Sequence, residues 1–176
     1  VNRWFIAVNS FTPAHKDWQT YLEQSGLSTV TEIISIDQVL CTPAIRRFET
    51  EDWKHNVQDH LFNDYFLDLE YLIKRTKGLA NIHILSVVKN PDKEVRDDLQ
   101  DINFRFLGYD LTDHYGSVSA LTNCGPLPLA FTHKDLSSYG LIYTYKRAAE
   151  VKEALQKYYA EEFSQSLMWG IWQRIS

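Results

Sequence analysis

Cysteine is nearly missing from this chain: Cys41 and Cys124 are the only two in 176 residues. Two isolated thiols make no disulfide framework, and a chain long enough to build its own core does not need one, so a reducing, cytoplasmic location is expected. Long apolar runs are missing as well. No stretch approaches the roughly 20 apolar residues of a membrane-spanning helix. The opening VNRWFIAVNSF has neither the basic lead nor the apolar length of a signal peptide. No membrane partner is expected. Positive charge is scarce, with 18 Lys and Arg against 23 Asp and Glu and a formal charge of −5. Nucleic-acid binding needs clustered cations to displace counterions from phosphates, which makes nucleic acid an unfavoured partner. The seven glycines never approach one another as a phosphate or dinucleotide loop requires, and no HExxH or finger-like His/Cys spacing occurs. Neither a cofactor nor a metal is expected.

What is present suits a well-packed core. Hydrophobic residues make up 44% and aromatic ones 14%, with no low-complexity stretch, which is enough for one domain over residues 1–176 and short for two. Residues 4–9 (WFIAVN) read as a buried strand. Thr12-Pro13 starts a helix with Trp18, Tyr21 and Leu22 on its apolar face, closed by Gly26. Residues 31–40 (TEIISIDQVL) are rich in β-branched side chains and read as a second strand. Over 51–75, apolar residues recur at three- and four-residue steps and predict a helix, with Lys74 and Arg75 in its last turn and Gly78 beyond. The alternation from Tyr65 to Ile73 also fits a strand over 64–73.

Residues 81–89 (NIHILSVVK) read as a strand ended by Asn90-Pro91, and residues 92–100 as a short acidic-ended helix. Residues 104–111 (FRFLGYDL) and 117–123 (SVSALTN), joined by the turn residues DHYG, read as a hairpin. Thr132 is a plausible cap for a short helix. Residues 143–159 carry a helical stripe of Tyr145, Ala148, Ala149, Lys152, Leu155 and Tyr159, and 167–175 (LMWGIWQRI) form the last strand. The expected class is α+β, a mixed or antiparallel sheet of about six strands packed by three or four helices.

One segment departs from the average. Residues 49–70 (ETEDWKHNVQDHLFNDYFLDLE) hold seven carboxylates and one lysine, with Trp53, Phe62, Tyr65 and Phe66 among them. A solvated helix with an aromatic stripe turned to the core would account for this composition. So would a docking face, since carboxylates steer a basic partner and aromatic rings supply contact area once it docks. Glu51, Asp52, Trp53, Asp59, Asp64 and Asp68 are the residues expected to meet such a partner.

Other constellations are thinner. Cys124 lies one hairpin turn from Asp113 and His114, the place where a thiol nucleophile and its base could meet, though no electropositive setting is visible around it. His60, Asp64 and Asp68 would share one row of a helix, but acids on a solvated face are ordinary. Asp68 and Glu70 share a face only on a strand, which disfavours a paired-carboxylate mechanism. Arg46 and Arg47 form one basic cluster. Lys74, Arg75 and Lys77 form another, read as the complement to a helix C-terminus.

The C-terminal half carries GYDL at 108–111, SALTNCG at 119–125, YGLI at 139–142 and WGIWQRI at 169–175. In these it resembles small bacterial proteins grouped with toxin-immunity proteins. The resemblance implies a cytosolic protein without a cofactor that binds and neutralises a cognate toxin, and it brings no catalytic or binding residues with it. Together with the acidic segment, it leads to the expectation of a non-enzymatic binding protein that meets a basic partner. The alternative is a small hydrolase or transferase centred on Cys124 and His114.

Overall fold

The computed structural model describes residues 2–99, 101–122 and 127–175. Four strands form one antiparallel sheet: β1 (Arg3–Asn9), β2 (Ile82–Lys89), β3 (Phe104–Thr112) and β4 (Leu167–Arg174), in the order β1-β2-β4-β3. The last strand of the chain is thus an inner one. Its residues from Met168 to Trp172 are buried without alternation, as expected of a strand covered on both faces. Five α-helices are described: α1 (Trp18–Ser25), α2 (Asp52–His55), α3 (Leu69–Arg75), α4 (Tyr145–Tyr158) and α5 (Ala160–Phe163), with a 3-10 turn at His133–Asp135. The α+β class stands as expected, with an antiparallel sheet.

Alternate strand residues enter different cores. Ile6, Val8, Leu85, Val87, Trp169 and Ile171 meet the long connections of the chain. There Trp169 stacks on Tyr65 at 5.5 Å and donates its indole N–H to Thr112 Oγ1 at 2.9 Å. On the opposite face, α3 packs on β1, and α4 packs on β3 and β4. Helix α4 buries Ala148, Val151 and Leu155, and its N-cap Thr144 accepts from Arg147 N–H. At Gly108 the β3–β4 register shifts, φ is +144°, and an added Cβ would stand 2.7 Å from Ile142 O. Only glycine lets the 142 loop approach that closely.

Two of the six expected strands are not formed. Residues 31–40 make only an isolated bridge from Ile33 to Phe11, and residues 117–122 one from Ser119 to Thr112. Side chains take the backbone donors that a ladder would use. Asp37 Oδ1 accepts from Val39 and Leu40 N–H at 2.8 and 3.0 Å, and Asp113 Oδ1 accepts from Ser117 N–H at 2.8 Å.

The expected helix over 51–75 is broken into α2 and α3. Asn56 takes an extended conformation, Val57 N–H turns to Tyr65 O at 2.6 Å, and Asp68 starts α3 afresh as its N-cap. The strand alternative over 64–73 survives only as Phe66 bridging Phe5 and Asn56. Helix α1 begins at Trp18 and not at Thr12, whose hydroxyl and carbonyl serve a turn ending at His15. No helix forms over residues 92–99, where Glu94 is held by Tyr109 OH and Val95 N–H donates to the same phenol oxygen at 3.1 Å.

The irregular layer is pinned to β3 by a buried polar cluster. Asp110 is fully enclosed; its carboxylate accepts from Ser35 Oγ, from Ser119 Oγ at 2.5 Å and from Leu111 N–H at 2.8 Å. Asp37 Oδ2 accepts from Ser119 N–H at 2.8 Å. Burial pushes the Asp110 carboxyl up to about 6, the serine bonds pull against it, and nearby Asp37 adds to the rise. A group whose folded pKa lies above its unfolded 3.8 favours folding below that value and loses the contribution as pH rises through about 6. The amount is roughly 3 kcal/mol. Urea midpoints taken from about pH 4 to pH 7 should therefore fall with rising pH more in the wild type than in Asp110→Asn. Equal slopes would show that this carboxyl does not titrate there.

Candidate docking surface

The acidic segment folds as a lobe against β1 and α3, and its carboxylates go to different places. Asp52 is wholly internal: Oδ2 accepts from Glu49 N–H at 2.6 Å, and Oδ1 accepts from Tyr71 OH and Arg75 Nε, both at 2.9 Å. Burial alone would raise the Asp52 carboxyl, but these hydrogen bonds outweigh it and hold it below the ordinary value. Arg75 also donates to Arg47 O at 3.0 Å and stands 3.5 Å from Glu49. Asp52 is therefore the clamp that ties α2 to α3, and it is out of reach of any docking molecule.

His55 makes a second tie. Its ring stacks on Tyr71 at 3.9 Å, with Glu51 3.5 Å from one nitrogen and Asp68 3.2 Å from the other. Asp68 meanwhile caps α3 by accepting from Tyr71 N–H at 2.9 Å. Glu51 also bonds Lys54 at 2.6 Å, and that contact holds its carboxyl below the usual range. Both carboxylates stay about half exposed, so they remain part of the surface.

Trp53 and Asp64 come together. They line one shallow hollow of about 580 Å³ with Pro43, Ile45, Arg46 and Phe48. The Trp53 indole is 49% exposed and lies 4.9 Å from the Phe48 ring, which stacks in turn on buried Phe66 at 5.9 Å. The ledge is thus rigid from below and open above. Burial raises the Asp64 carboxyl. Asp59 accepts from Leu61 N–H at 2.9 Å and lines a different hollow beside Trp4 and Lys89. His60 projects into solvent, and no helix runs between α2 and α3, so the helical row of His60, Asp64 and Asp68 does not exist.

Of the thiol constellation, Cys124 lies outside the described residues. Asp113 spends its carboxylate within its own turn, on Ser117 and Val118 N–H and on Ser117 Oγ. His114 rests on Tyr115 at 3.6 Å. Cys41 is buried and donates to Ile33 O at 3.3 Å, and burial pushes its thiol far up. Among the described residues no three His, Cys, Asp or Glu converge to hold a metal, and no helix is long and apolar enough to cross a membrane.

What the sequence did not disclose is the role of Arg75 and His55. Their partners lie up to 28 residues away along the chain, and only the break between α2 and α3 brings them close. Compared with family models, curated proteins and solved structures, the chain matches none.

Removing the Asp52 carboxylate takes the acceptor from Glu49 N–H, Tyr71 OH and Arg75 Nε at an enclosed position, at a cost of about 1–3 kcal/mol. Asp52→Ala should lose stability on that scale in urea denaturation, whereas Asp59→Ala, at the surface, should stay within about 0.5 kcal/mol of wild type. Equal losses would mean that Asp52 carries no special load.

Proposed function

We propose that this protein is a non-enzymatic binding protein that receives a basic protein partner on the Trp53 ledge. The observation that carries this is the half-exposed indole backed by Phe48 and Phe66 with Asp64 beside it in one hollow. A lysine or arginine of the partner would lie over the indole face, a cation–π contact worth about 0.5–2 kcal/mol. Glu51 and Asp68 supply the surrounding negative potential, and Asp59 contributes at longer range. The resemblance to toxin-immunity proteins makes a toxin with a basic cleft the natural candidate, because an acidic ledge can plug such a cleft and speed its capture.

Titration with an arginine-rich peptide, followed by tryptophan fluorescence, tests the ledge. Binding should weaken steeply as salt is raised. It should fall about tenfold or more in Trp53→Ala, the scale of an aromatic anchor. Because the Asp64 carboxyl is raised, its charge disappears earlier on acidification than that of an ordinary aspartate. Affinity should therefore drop on mild acidification, and less so in Asp64→Asn. Salt-independent binding, or a Trp53→Ala protein that binds as well as wild type, would refute the ledge.

A further inference from the structure

Helix α3 has a second face, turned away from the acidic lobe. There it borders a groove of about 700 Å³ against the ends of β2 and β4, within the roughly 300–1,000 Å³ typical of ligand pockets. Its apolar wall is entirely aliphatic: Ile73 from α3, Ile82 and Ile84 from β2, and Ile175 just past β4. Ile175 is 56% exposed and Ile82 half-buried, so this surface is not covered by the rest of the described chain. Lys74, Lys77 and Arg174 line the same groove. None of the three side chains makes an ion pair or hydrogen bond among the described residues, whereas Arg75 and Arg147 each hold carboxylates. Glu70 is the carboxylate at its edge.

The groove exists because the sheet separates there. The β2–β4 ladder ends at Leu85 opposite Gln173, so residues 82–84 of β2 pair only with β1. Three residues of free strand edge are too few for a peptide to add as a strand, since strands commonly run about five or six. An occupant without backbone polar groups fits better. Branched aliphatic walls accept a flexible methylene chain, and three cations against the single carboxylate of Glu70 leave a positive excess at the rim that calls for one anionic head.

We propose that this groove binds a medium-chain aliphatic carboxylate, with the chain over the isoleucines and the head between Lys74, Lys77 and Arg174. This site is separate from the Trp53 ledge and does not rest on it.

Calorimetric titration with octanoate, decanoate and dodecanoate below their micelle concentrations tests the assignment. Each pair of added methylenes should tighten binding by about fourfold per methylene, equivalent to roughly 0.8 kcal/mol each. Decanol should bind about tenfold more weakly than decanoate, for lack of a charged hydrogen-bonding head. The double variant Lys74→Gln/Lys77→Gln should weaken decanoate about five- to tenfold while keeping the chain-length dependence. Ile175→Asp, at an exposed position where folding is safe, should abolish binding. Affinity independent of chain length, decanol binding as well as decanoate, either variant binding like wild type, or an acidic peptide outbinding decanoate would each overturn it.

Discussion

Two enclosed carboxylates, Asp37 and Asp110, neither in an ion pair among the described residues, hold the irregular half of the molecule to its sheet. The constraint behind them is simple. One face of a four-stranded sheet lies under connections that have almost no ladder of their own, and every backbone N–H buried there must find an acceptor. A carboxylate offers about four acceptor sites in the space of one side chain. Asp37 takes three backbone donors, from Val39, Leu40 and Ser119, and Asp110 takes two hydroxyls and one N–H. Burying two like charges is costly and raises both carboxyls. The return is that residues 33–41 and 117–121 are fixed to β3 at the same point.

The same substitution of side-chain for ladder hydrogen bonds explains which elements were legible in the sequence. The four strands that form are apolar runs that keep their ladders, even where Asp110 accepts from the Leu111 N–H within β3: 4–9, 81–89, 104–111 and 167–175 were all readable. So was α4, where Thr144 precedes a regular stripe. Residues 31–40 and 117–122 have equally good β-propensity, yet they contain Ser35, Asp37 and Ser119, which bond backbone within two or three residues. Propensity measures how a side chain fits a pleated surface. It does not register that a nearby carboxylate offers the backbone an alternative.

For the candidate surface, counting charges overstated what reaches solvent. Seven carboxylates lie in 49–70, but Asp52 is spent inside on Arg75 and Tyr71, and Glu51 and Asp68 share His55. Trp53 is different, because an aromatic residue amid acids can be either buried or exposed, and sequence alone leaves the choice open. Its neighbours settle the matter physically. Phe48 and Phe66 already fill the space beneath, so the indole has nowhere to go but outward.

Helix α3 explains how an acidic chain comes to carry a cationic groove. At seven residues it is too short to persist alone and depends on its tertiary contacts. Tyr71 and Arg75 lie four apart and face the acidic lobe, where Asp52 neutralises the arginine. Lys74 and Lys77 lie three apart and line the other groove, where Glu70 is the one carboxylate beside them. Asp52 and Glu49 thus compensate Arg75, while the two lysines make no ion pair among the described residues, although all three stand within four positions of one another. Charge along a sequence averages over these faces, whereas a helix sorts them. The Asp68 cap and the buried Leu72 that anchor α3 therefore fix the wall shared by two surfaces of opposite sign.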